Sequence, residues 1–131
     1  MAKPPVPDDL AALLARPNPA VIGTLRPDGA PHTVATWYLW DDGRVLVNMD
    51  ESRSRLEHLR SDPRVALTVF DGDSWHAHVS LRGRVVSLEP DEDLADIDRL
   101  ARHYGGNRYP NRVDGRVSAW IEITSWHRWQ V

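Results

Sequence analysis

The sequence predicts a mainly β fold, a small antiparallel barrel of six to seven strands, closed or nearly closed, with short helices at its ends. Two observations carry this reading. Short β-rich runs recur along the 131 residues with turn sequences between them. So many antiparallel strands in so short a chain favour closure, because closure removes unpaired edges. The length fits one domain over residues 1–131, and 41% apolar with 27% charged residues is ordinary for a globular chain.

Residues 1–7 are polar and proline-rich and read as a flexible lead-in. Asp8–Ala15 is a short helix with Leu10, Leu13 and Leu14 on one face, a barrel plug rather than a partner-binding helix. Ala20–Leu25 is the first strand and stops at the turn Arg26-Pro27-Asp28-Gly29. His32–Trp40 is the second, Asp41-Asp42-Gly43 a hairpin turn, and Arg44–Met49 the third, together an antiparallel meander. Ser52–Arg60 breaks the strand pattern with a short helix, and Arg64–Phe70 is the fourth strand. Trp75–Leu88 is long for one strand, and Gly83 marks a bulge or bend within it. Glu89–Tyr104 is the clearest helix, with Leu94, Ile97, Leu100, Ala101 and Tyr104 on one stripe. After a polar loop over Asn107–Asp114, Val117–Ile123 is a sixth strand, and Trp126–Val131 adds a short last one.

Composition excludes several functions. A net charge of −3 leaves no basic stripe for nucleic acid. The absence of cysteine excludes disulfides, thiolate metal sites and a cysteine nucleophile, and it fits a cytoplasmic location. No segment has the apolar core of a signal peptide or the length of a membrane span. His76 and His78 share a strand face, but no third ligand falls at a defined spacing, so no metal site is expected. Asp91, Glu92, Asp93, Asp96 and Asp98 read as a solvated helix face, and no Gly-x-Ser-x-Gly elbow is present. Six tryptophans suit ring-stacking walls, with Trp37, Trp75 and Trp126 as candidates.

The stretch that carries chemistry is Asn48–Leu67, which runs strand, loop, helix, proline, strand. Arg53 and Arg55 stand at the start of the short helix, beside Ser52 and Ser54. Unpaired N–H groups of a helix start, two guanidiniums and serine hydroxyls make a cup for a phosphate. The same residues also suit a solvated surface with Ser52 as a plain N-cap.

This segment resembles the phosphate-binding segment of the pyridoxamine 5′-phosphate oxidase-like superfamily, whose pattern is a Ser/Arg/Lys cluster, a short helix, then Asn/Asp-Pro-Arg-Val. Here it reads Ser52-Arg53-Ser54-Arg55, then Asp62-Pro63-Arg64-Val65-Ala66-Leu67. Ala20–Gly29 and Ala30-Pro31-His32 are similar to that superfamily's first strand and turn. The likeness follows element order over residues 8–124 and is most specific over 20–70. It implies a split β-barrel of the FMN-binding type. Within the superfamily the chain is most similar to the short branch that uses the deazaflavin coenzyme F420.

The resemblance implies a hydride-transferring oxidoreductase acting on an unsaturated small organic substrate, as a homodimer with cofactor sites at its interface. By the same resemblance Arg53 contacts the cofactor phosphate. Arg55 stands where a phosphate-binding lysine is usual, a departure that keeps the charge and changes its reach. Asn48, Met49 and Asp50 border the ring, and His32 and Thr36 face the ring or its side chain. Ser54 and Trp75 complete the candidate binding set. No catalytic residue is singled out; His76, His78, Tyr38 and Tyr109 are the proton donors to test. Two alternatives stand beside this reading: an FMN-binding oxidase or flavin reductase, and a non-catalytic cofactor-binding protein.

Overall fold

The computed structural model describes residues 1–131, with the order α1 (Asp8–Leu14), β1 (Ala20–Leu25), β2 (Pro31–Thr36), β3 (Leu39–Asp41), β4 (Arg44–Asp50), α2 (Ser54–Ser61), β5 (Arg64–Phe70), β6 (His78–Pro90), α3 (Ala95–Gly105) and β7 (Arg116–Trp129). All seven strands form one antiparallel sheet in the order β2-β1-β5-β6-β7-β4-β3. Only Trp37 and Tyr38 separate β2 from β3, yet these strands are the two edges of the sheet. The three Cα steps from Thr36 to Leu39 span about 11 Å at most, so the sheet must roll until these strand ends nearly meet. No ladder joins them, and the roll stays open along a seam.

The topology corrects the expected meander. β1–β2 and β3–β4 are hairpins, but β4 pairs with β7 from the far end of the chain. The expected single strand His32–Trp40 breaks at Trp37-Tyr38 because its two halves serve opposite edges. The two expected C-terminal strands are one, β7, since the long β6 pairs along both. The bulge at Gly83 is present, with a register shift between Arg82 and Gly83.

The core lies inside the roll. Alternate residues of β4 (Val45, Val47, Met49) face alternate residues of β7 (Ile121, Ala119, Val117), as the register requires. Leu10, Leu13 and Leu14 of α1 belong to the same cluster. Each buried leucine contributes roughly 1.5–3 kcal/mol, which holds a seven-residue helix too short to persist alone. Tyr38 is fully buried, and its hydroxyl donates to the carbonyls of Leu14 (2.8 Å) and Arg16 (3.2 Å), closing the plug. The opposite face of β4 is covered by α3, where Leu39, Leu46, Ile97 and Leu100 form a second cluster.

α3 starts six residues later than expected. Glu89 and Pro90 complete β6 opposite Ser118 and Val117, and Leu94 takes a left-handed φ of 61° before the helix begins. Asp91 is then not on a solvated face: it is 6% exposed, and its carboxylate accepts the N–H groups of Asp96 (3.1 Å) and Ile97 (2.9 Å). Asp98 is also buried. The lead-in is tied to β7, with Ala2 and Trp126 exchanging two backbone hydrogen bonds, instead of the free segment expected. No helix is long and apolar enough to cross a membrane.

A Cβ at Gly83 would stand 2.3 Å from the Glu122 carbonyl oxygen, a backbone atom that cannot swing aside. Gly83→Ala is expected to cost about 1–3 kcal/mol in urea unfolding, whereas Gly105→Ala, with open space around it, leaves stability near the parent value. Asp62 is held down to about 2 by Arg64, Asp50 below the usual carboxylate range by the Ser52 hydroxyl, and Asp98 by Arg112. Lowered folded pKa values add stability that is complete above the ordinary carboxylate range and drains as pH falls from about 4 towards 2. The melting temperature is therefore expected to drop across that window, and less so in Arg64→Ala.

Candidate functional site

The seam holds a cavity. β3 pairs only with Arg44–Leu46 of β4, so the end of β4 runs on without a partner on that side. Across the gap lies β2, whose His32, Val34 and Thr36 stand opposite the buried Thr24, Ile22 and Ala20 of β1. They share the inward face, yet every β2 residue but Thr36 is exposed, because the roll is open there. The space between is about 740 Å³, within the usual range for small-molecule sites.

One end of the cavity is cationic. After β4 the chain turns sharply: the Ser52 N–H donates to Asp50 (2.9 Å), and Arg53 Nε donates to the other Asp50 oxygen (3.1 Å). No side chain caps the start of α2, so its first N–H groups remain available. Arg55 donates from its Nη2 to the Asn48 carbonyl (3.3 Å), on the unpaired side of β4, while its buried Nε has no partner. Arg116, the first residue of β7, donates Nε–H to Asn48 Oδ1 (2.7 Å) and lies 4.7 Å over the Tyr109 ring. Burial lowers the Arg55 pKa, and the charges of Arg53 and Arg116 lower it further; Asp50 offsets part of this. Three guanidiniums, the half-buried one of Arg55 and the two beside it, create a demand for an anion.

The other end is aromatic. Trp37 stacks on Tyr104 with ring centroids 5.5 Å apart and planes within 10°, and Tyr109 meets Trp37 edge-on at 6.2 Å. Tyr104 donates its hydroxyl to the Asn18 carbonyl (2.7 Å), and burial pushes its pKa up to about 12. Buried Asp98 holds the Tyr109 loop by accepting the Tyr109 N–H (3.0 Å) and pairing with Arg112. Pro17, Pro19, Ile97 and Leu100 complete this wall.

The sequence-predicted residues divide cleanly. His32, Thr36, Asn48, Met49, Arg53, Ser54 and Arg55 line the cavity, and Asp50 stands beside it holding Arg53. Ser52 is not the N-cap; that position is Arg53, and Ser52 bonds Asp50 instead. Trp75 is elsewhere: β6 starts only at His78, which leaves Trp75 on the β5–β6 turn, 83% exposed and edge-on to Phe70. Trp126 packs against the lead-in and donates to the Lys3 carbonyl (3.1 Å). Of the four proton-donor candidates, Tyr109 reaches the cavity wall. Tyr38 lies in the core, and His78 bonds the His76 carbonyl outside the cavity. Arg116 and Tyr104 carry no motif; only the β4–β7 register, Asp50 opposite Arg116, brings the third guanidinium to the site.

An anion in this cup relieves charge repulsion in the folded state alone. Inorganic phosphate at constant ionic strength is expected to stabilise the protein, by about 2.7 kcal/mol at a hundredfold excess over its Kd. Thermal unfolding checks this, and Arg55→Ala is expected to abolish the shift.

Known proteins bear on this geometry. A solved F420 reductase superposes with a TM-score of 0.85 at 29% identity, covering 93% of this chain and 98% of its own. The conserved protein Rv2991 of Mycobacterium tuberculosis shares the fold with a TM-score of 0.69 at 22% identity, over 97% of this chain and 86% of its own. General Stress Protein 26 of Bacillus anthracis does so with a TM-score of 0.72 at 15% identity, over 93% and 92%. The sequence pattern of the pyridoxamine 5′-phosphate oxidase family matches residues 6–130. With that match over nearly its whole length, and one antiparallel sheet rolled into a split barrel, the chain belongs to the pyridoxamine 5′-phosphate oxidase family.

Proposed function

We propose that the chain is a cytoplasmic, homodimeric oxidoreductase that binds the deazaflavin coenzyme F420 in the seam and transfers hydride to an unsaturated organic substrate. One observation carries the proposal: a single cavity joins a three-guanidinium cup to a flat aromatic wall, the two ends that a phosphate-bearing ring cofactor needs. The likeness to an F420 reductase at 29% identity supports the deazaflavin over a flavin.

In this reading Arg53, Arg55 and Arg116 hold the phosphate, with Ser54 and the open start of α2 adding donors. His32, Val34 and Thr36 border the ring from β2, and the end of β4 that β3 leaves unpaired borders it from the other side. The bound deazaflavin supplies the hydride chemistry. The protein's task is to hold the substrate flat at near-contact distance and keep water out. Val34 and Trp37, each 39% exposed at the mouth, support a second subunit that completes the enclosure.

Side-by-side titration with oxidised F420 and FMN, read by tryptophan fluorescence, tests the ring. Saturable quenching by F420, at least tenfold tighter than by FMN and lost in Arg55→Ala, is expected. Tight FMN binding with no F420 response overturns the proposal in favour of a flavin enzyme. Binding of reduced F420 with no turnover of enones or quinones leaves a carrier, not a reductase.

A further inference from the structure

The anion cup has a hidden support outside the segment that announces it. Arg116 receives its orientation from Asn48, whose Oδ1 accepts the Arg116 Nε–H at 2.7 Å. Asn48 is itself 7% exposed, and its Nδ2 donates to Asp91 Oδ2 and to Ser118 Oγ, each at 3.1 Å. Ser118 in turn donates its hydroxyl to Asp96 at 2.6 Å.

The chemistry of these groups permits one direction only. An ionised carboxylate accepts and cannot donate, and a guanidinium donates and cannot accept. Asp96 therefore forces Ser118 to donate outward and to accept from Asn48. Asp91 forces the Asn48 amide to turn its NH₂ inward. The amide oxygen is left facing Arg116, whose terminal nitrogens stay free for a ligand. A flipped Asn48 would set its NH₂ against the Arg116 N–H and leave the buried Asp91 oxygen short of a donor. Asp91 also fixes the Arg116 backbone, donating its own N–H to the Arg116 carbonyl at 2.9 Å.

We infer that Asp91 is a positioning residue for anion binding: through Asn48 it aims the third guanidinium into the cup, and through the first N–H groups of α3 it locks the aromatic wall to the same point. This rests on the anion-cup reading of the seam. α3 supplies Ile97, Leu100 and Tyr104 to the cavity, so one carboxylate sets the geometry of both ends.

The test is a set of double-mutant cycles with inorganic phosphate as probe, read by calorimetry. Asp91→Asn keeps the shape but can donate, so it releases the Asn48 amide. It is expected to weaken phosphate about tenfold, the scale of one charge-assisted hydrogen bond. Combined with Arg116→Ala it is expected to add nothing further, whereas combined with Arg53→Ala the losses multiply. Should Asp91→Asn fail to fold, Asn48→Ala is expected to give the same pattern. Losses that multiply equally with Arg116→Ala and Arg53→Ala overturn the inference. So does an Arg116→Ala variant with parental affinity while Arg55→Ala is weakened, a result that leaves the cup itself standing. Parental affinity in all three arginine variants removes the cup and the inference together.

Discussion

A two-residue link governs this molecule. Trp37 and Tyr38 join the two edge strands of a seven-stranded sheet, so the sheet can neither lie flat nor spread. Rolling brings the edges together, and the core of β4, β5, β6 and β7 fills the inside. Because β3 is only three residues long, it cannot close the roll along its whole height. The opening that results is lined on one side by β2 and on the other by the bare end of β4. Tyr38 reaches back into the core to hold the α1 plug, while its neighbour Trp37 stays at the mouth and stacks on Tyr104. One dipeptide thus contributes to closure, core and site.

The electrostatics follow from this architecture. The end of β4, the start of α2 and the start of β7 meet at the same height, and each brings an arginine or its support. Without an anion, Arg55 is a half-buried cation with an unpartnered Nε, hemmed in by two others. Such a group is a cost to the fold. Asp50 lessens it by engaging Arg53, and Asn48 lessens it by accepting from both Arg55 and Arg116. The proposed anion site thus coincides with the place where the fold gives up stability.

Much of this was legible in the sequence, where local chemistry decides. The Arg53–Arg55 cluster before Asp62-Pro63-Arg64 pointed to the family, and its two arginines do line the seam cavity; strands bounded by Gly and Pro turns pointed to the β class. Long-range pairing was not legible. Nothing in Arg44–Asp50 names β7 as its partner, so the local pattern points to a meander and gives no sign of Arg116. Asp91 sits among acids that look solvated, and its burial depends on β6 extending through Pro90. Trp75 has the composition of a wall residue but falls on a turn, because β6 begins three residues later.

The brevity of β3 is coupled to the core. Its first residue, Leu39, is buried in the cluster beneath α3, and Trp40 packs against the main core. Each residue added at that end would cover about 3.4 Å more of β4. The next residue in that direction is Tyr38, whose hydroxyl fastens the α1 plug. Narrowing the aperture by extending this strand therefore means releasing the tether at the base of the barrel, so the width of the mouth and the soundness of the interior are set by the same dipeptide.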